Sequence, residues 1–302
     1  MNLKIKILAL ALLSTTNVVF SQTNIGKTGA LLWKISGKDL SKPSYLLGTF
    51  HIKPAEFLDS IPGVKAALSA AEQVVGELTL TDQAKLQMQV QQAMMMPSDT
   101  TYQMLYSDEE YQFVSEQLTA SIGAGLDQLK MLIPSGISMI YVMATYQKYF
   151  PGNNPANTID IVIQKIATEN NKPILGLETI DDQFKALFGA SLKRQAERLL
   201  CSLKNPDYGI KQAEAIIEGY NQFDLDKIYN ITLINDDPCP SSQQETDKLN
   251  KNRNDRWMQA LPDIMKQKSS FIAVGALHLV GEDGLLYQLE KSGYAVEPVL
   301  AW

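Results

Sequence analysis

The chain has 302 residues, 45% of them apolar and 20% charged, which is enough to bury a sizeable core and too apolar for a disordered polymer. Its formal net charge is −6 and it carries no cluster of Lys and Arg, so the basic face that phosphate binding needs is missing and nucleic acid is not an expected partner.

The first residues, MNLKIKILALALLSTTNVVFSQ, place Lys4 and Lys6 ahead of a short apolar run that closes on Val19-Phe20-Ser21. This is the pattern of a secretory signal cleaved after Ser21. Ser14, Thr15, Thr16 and Asn17 break the run, so it is too short for a membrane anchor and cleavage would leave no transmembrane segment. Losing residues 1–21 removes two lysines and no acid, moving the formal charge from −6 to −8. The expectation is an exported protein, periplasmic or extracellular. The two cysteines, Cys201 and Cys239, then read as one disulfide, with two buried free thiols as the alternative.

Residues 22–302 read as one domain with an α/β fold and a mostly parallel central sheet. Trp33 and Ile35 alternate with Lys34 and Ser36 in a half-solvated strand, Gly37 to Pro43 supply a turn, and Tyr45 to Phe50 return as a strand covered on both faces, ending at His51. A helix over Ile61 to Gln73 and a strand over Val74 to Leu80 follow. From about 81 to 157 the pattern is helical, an insertion rich in Met and Tyr (Met88, Met94, Met95, Met96, Tyr102, Tyr106). Those residues are either ordinary core or an adaptable peptide-binding surface. Next come a helix over Ile159 to Asn170, a strand KPILGLE ending at Glu178, and helices over Asp181 to Lys204, Ile210 to about Ile228 and Lys248 to Lys266. The strand SSFIAVGALHLV, a helix over Asp283 to Ser292 and a closing strand YAVEPVL complete the chain.

The chain has only two histidines, and both stand three residues after a glycine: Gly48/His51 in YLLGTFHI and Gly275/His278 in VGALHLV. Extended alternation would put each imidazole at the carboxyl end of a buried strand, where open α/β sheets bind ligands. The glycines permit another backbone or a ligand to approach closely. Glu77 and Glu178 end two other apolar runs, and a carboxylate there is costly to bury unless it is paired, protonated or bound to a cation. If the four tips converge, two imidazoles and two carboxylates surround one crevice, a metal or acid/base constellation. No HExxH, Gly-x-Ser-x-Gly or phosphate-loop motif offers another chemistry.

On LLWKISG, YLLGTFHI, VVGEL, ILGLETIDDQ, RNDRW and VGALHLVGEDGLLYQLEKSGYAVEPV, the sequence resembles the TraB/GumN family, whose relatives include the Tiki metal-dependent peptidases. The resemblance implies two related α/β halves and a site containing His51, Glu77 and His278. It also places Asp160, Glu178, Arg253 and Asn254 on family-like positions. Where the family has an acid shortly after the first glutamate, this chain has Leu78 and Thr79. The expected function is an exported metal-dependent hydrolase cutting a peptide or protein substrate. His51, His278, Glu77 and Glu178 would hold a divalent ion (Mn, Co, Fe or Zn), Glu77 and Arg253 would be catalytic, and Asp160 and Asn254 would bind substrate. The alternative is a non-catalytic module that sequesters a peptide, metal or haem in the same crevice.

Overall fold

Strands form where apolar residues run or alternate, and Gly and Lys close the first hairpin. In the computed structural model, which describes residues 29–151, 157–233 and 236–300, β1 (Leu32–Ser36) turns through Gly37 and Lys38, both at positive φ, into antiparallel β2 (Ser44–Thr49). The expected signal segment, 1–21, lies outside the described residues. A 3₁₀ turn (Ala55–Ser60), α1 (Val64–Ala70) and β3 (Gln73–Gly76) follow. The expected helix is thus shorter than 61–73 because Gly63, at φ 72°, caps it, and the strand ends at Gly76 rather than Leu80.

The inserted region forms α2 (Gln83–Ala93), α3 (Tyr102–Leu105), α4 (Asp108–Ile122), α5 (Leu126–Leu129) and α6 (Pro134–Tyr149). The chain then builds α7 (Ile159–Glu169), β4 (Ile174–Gly176), α8 (Ile180–Phe188), α9 (Leu192–Lys204), α10 (Pro206–Asn221) and α11 (Leu225–Thr232). It finishes with α12 (Gln243–Leu249), α13 (Lys251–Gln267), β5 (Ser270–Gly275), α14 (Leu285–Lys291) and β6 (Ala295–Pro298). Three expected long helices are each split, at Gly189 to Ser191, at Gln222 to Asp224 and at Asn250. Polar caps mark the first two breaks, since Ser191 and Asp224 each accept a backbone N–H of the helix that follows, whereas Asn250 makes no side-chain cap at the third.

The fold is α/β. One sheet runs β4-β3-β5-β2-β1-β6, with β4, β3, β5 and β2 parallel and β1 antiparallel to both β2 and β6. The two strand-Gly-x-x-His units are therefore neighbours, Gly48 lying opposite Val274 and Thr49 opposite Gly275. β3 is buried throughout, as is β5 up to Val274, as expected for strands covered on both faces. Their side chains share a core with α1, α7, α10, α11, α13 and α14. A second core joins the inserted helices to α9 through Val114, Leu118, Leu126, Ile137, Ala196 and Leu199. The Met and Tyr residues divide: Met94, Met96, Tyr102 and Tyr106 are buried, whereas Met88 and Met95 are exposed.

Candidate functional site

The glycines of the two motifs set the geometry by having no side chain. A Cβ on Gly48 would lie 3.1 Å from both Ala276 Cα and Leu279 Cδ2, so only glycine lets the segment after β5 close onto β2. After Gly275 the chain leaves the extended form and turns through a 3₁₀ helix, Ala276–His278. His51 likewise lies in a turn beyond β2, closed by Lys53 N donating to Phe50 O. Strand alternation therefore does not aim either ring; the turns do.

His278 is buried. Its Nδ1 is 2.8 Å from Asn254 Oδ1, and Asn254 Nδ2 donates to the carbonyls of His278 (3.1 Å) and Asp283 (2.8 Å). With the amide of Asn254 oriented by those carbonyls, Oδ1 is the acceptor, Nδ1 carries the proton and Nε2 presents its lone pair. That lone pair meets Arg253 Nη1 at 2.9 Å. Burial lowers the His278 pKa, Arg253 and His51 lower it further, and Glu77 only partly opposes them, leaving it at about 4. His278 is thus neutral at neutral pH.

Arg253 is the hub. Its Nη2 donates to Glu77 Oε2 and to Glu178 Oε1, each at 2.6 Å. Its Nε donates to Glu178 (3.1 Å), and its Nη1 reaches Leu249 O (3.1 Å) as well as His278. The Arg253 and Glu178 side chains are only 7% and 1% exposed. One helical turn on, the Trp257 ring lies 4.8 Å from the guanidinium carbon and 4.5 Å from the His278 ring, centre to centre. Glu77 Oε1 accepts the Gly275 N–H at 2.8 Å, and Gln183 Nε2 donates to Glu77 (3.2 Å) and Glu178 (3.3 Å). Burial pushes the Glu77 carboxyl up, but His278, Arg253, His51 and the Gly275 N–H hold it down at about 2. Because His278 is uncharged above about pH 4, Arg253 is the lasting positive charge hydrogen-bonded to Glu77 at neutral pH.

His51 belongs to a second group. Its Nδ1 is 2.9 Å from Asp160 Oδ2, and Thr49 Oγ1 donates to Asp160 Oδ1 at 2.7 Å. Asp160 stands in the first turn of α7, where the helix dipole favours a carboxylate. Desolvation by the protein around the cleft would lower the His51 pKa, but the hydrogen bond and charge of Asp160, with Glu77, raise it to about 9. The side chain is 63% exposed. It lines a cleft of about 270 Å³ with Glu77, Asp160 and Gln183, against apolar walls that include Leu78, Leu80, Leu86 and Ile161.

The structure brings Glu77, Glu178, Arg253, Asn254 and His278 into one network and sets His51 with Asp160 beside it. Thr49, Gln164, Gln183 and Trp257 were not singled out from the sequence. Gln164 binds Leu80 N and Leu78 O, both at 2.7 Å, shaping the cleft wall. Its signal was available: a polar residue on the face of α7 that also carries Ile163 and Ala167. Gln183 ends the ILGLETIDDQ block, but no burial pattern marked it, since its helix has no buried residue.

These residues as arranged do not fit a divalent metal. Among the described residues no three His, Cys, Asp or Glu side chains are disposed to hold an ion. The donors that would form such a set, Glu77, Glu178 and the His278 lone pair, converge on Arg253, while His51 turns to Asp160.

Residues 31–298 match the TraB/PrgY/gumN family. Two relatives bear the name Metalloprotease TIKI homolog. The one from Amphimedon queenslandica is 23% identical over 345 positions, covering 97% of this chain and 66% of its own length. The one from Nematostella vectensis is 24% identical over 319 positions, covering 89% and 67%. The chain thus spans about two thirds of the length of these curated relatives. No solved structure gives a significant match. With the match running from the strand before the first Gly-x-x-His unit to the last strand of the sheet, the chain belongs to the TraB/PrgY/gumN family.

Proposed function

We propose that the protein is an exported peptidase that cuts a peptide or an unfolded segment in the cleft beside His51. The observation that carries this reading is the His51–Asp160 pair, 2.9 Å apart, on the wall of a cleft that also has an apolar lining. Family membership and the relatives' printed name support a peptide as the substrate. The Cys201–Cys239 disulfide supports export to a periplasm or the extracellular space. Among the described residues no helix is long and apolar enough to cross a membrane.

Asp160 fixes the His51 ring through Nδ1 and leaves Nε2 as the nitrogen that meets the substrate. In its neutral form the ring takes a proton from water as the water oxygen attacks the peptide carbonyl carbon. The resulting imidazolium returns the proton to the departing amine as the C–N bond breaks. The apolar walls hold a substrate side chain so that the scissile bond lies near the ring. Each of these steps uses the chain's own groups.

The test is incubation of the purified protein with a peptide library and identification of products by mass spectrometry. His51→Ala is expected to lower kcat/KM by roughly 10²- to 10⁴-fold. With the His51 pKa near 9, the neutral ring grows with rising pH, so the rate should climb roughly tenfold per unit from pH 7 towards 9. Asp160→Asn should shift that limb to lower pH. Tight peptide binding without product would favour the sequestering module instead, and cleavage unchanged by His51→Ala would place the chemistry elsewhere.

A further inference from the structure

The centre beside the cleft has the composition of a metal site and the occupancy of something else. A guanidinium has five N–H donors in a fixed fork, and here all five are engaged: one on Nε with Glu178, two on Nη1 with Leu249 O and His278, two on Nη2 with Glu77 and Glu178. A buried Arg satisfied at every donor, between two carboxylates and over the Trp257 ring, has no better place to go. The second layer is built for it as well. Asn254 fixes the His278 tautomer that accepts from Arg253, and Gln183 and the Gly275 N–H take up further lone pairs of the carboxylates.

We infer that Arg253 is the resident cation of this centre, standing where a divalent metal was expected, so that the folded chain pairs both Glu77 and Glu178 with the guanidinium and takes a metal there only when the guanidinium is removed. For an ion to bind Glu77, Glu178 and His278 in the native protein, it would have to displace hydrogen bonds to all three and leave a second positive charge within contact distance. The replacement is chemically plausible in the other direction, because removing Arg253 leaves two carboxylates and an imidazole lone pair facing one space, a donor set of the kind that binds Mn, Co, Fe or Zn.

The experiment measures metal content by mass spectrometry and melting temperature with chelator or added Mn, Co, Fe and Zn, on the full chain purified in their presence. Wild type should retain less than about a tenth of an equivalent, and chelator should leave its melting temperature unchanged to about 1 °C. Arg253→Met should melt about 10 °C lower, then take up about one equivalent of metal and regain several degrees. If that variant does not fold, Arg253→Gln, which keeps a hydrogen-bonding side chain there and leaves Glu77, Glu178 and His278 in place, undergoes the same titration. About one equivalent in wild type, lost in both Glu77→Gln and His278→Ala, would overturn the inference. So would a folded variant lacking Arg253 that is as stable as wild type and takes no metal. No readout depends on turnover, so a failed cleavage assay leaves this result standing.

Discussion

Gly48 shows how one absent side chain fixes a site. Its carbonyl accepts the buried Tyr220 hydroxyl at 2.9 Å, and its Cα faces Ala276 so closely that a Cβ would sit 3.1 Å from backbone. Moving Ala276 also moves Gly275, whose N–H holds Glu77. Gly48→Ala is therefore expected to cost about 1–3 kcal/mol in urea unfolding. No loss would mean that the 276–279 segment gives way freely. At Gly275 the constraint is electrostatic as well as steric, since an added Cβ would lie 3.3 Å from Glu77 Oε1, the atom its N–H now binds.

Among elements, the junction after β4 and the segment joining α11 to α12 show how turns deliver side chains. The reciprocal cap of Thr179 and Asp182 starts α8 immediately after Glu178, which holds that carboxylate at the strand tip instead of letting it enter the helix. The backbone pairing of Glu178 N with Glu77 O, at 3.0 Å, brings the two acids alongside each other. At the other end of the helical region, the disulfide ties α9 to the loop before α12, across a sequence separation of 38 residues. Arg194 supports it, donating to Pro240 O at 2.8 Å and to Glu245 at 3.0 Å. Replacing both cysteines with serine should cost about 3–4 kcal/mol, read from denaturant midpoints under oxidising conditions. A change below about 1 kcal/mol would mean that the Arg194 contacts already hold the loop.

For the whole molecule, burial predicts a gradient of local stability. The central parallel strands β3 and β5 lie within the larger core, whereas α2 has no buried residue among those described and exposes Met88. In hydrogen exchange the amides of β5 should be among the slowest, and those of α2 should exchange by local opening far faster. Equal protection of the two would show that α2 is held by more than its sparse contacts. Since α2 supplies Leu86 to the cleft wall, that local opening would also widen the cleft.

The sequence by itself determined the α/β class, the strand-tip placement of Glu77 and Glu178, and the pair of Gly-x-x-His units, because burial periodicity and a rare residue at a repeated spacing are local signals. It also offered the cysteine pair, since an even count in a chain with an export-like leader is a compositional cue. Only the tertiary structure decided what the acids and imidazoles face. Arg253 lies in a helical pattern like many surface arginines, and although the RNDRW resemblance pointed to it, no local periodicity showed that it would be buried against the acids. Its burial follows from α13 packing against β5 and from the tips of β3 and β4 closing around it. Whether two carboxylates meet a metal or a guanidinium depends on which side chain reaches them first in three dimensions, and that is a property of packing between distant segments.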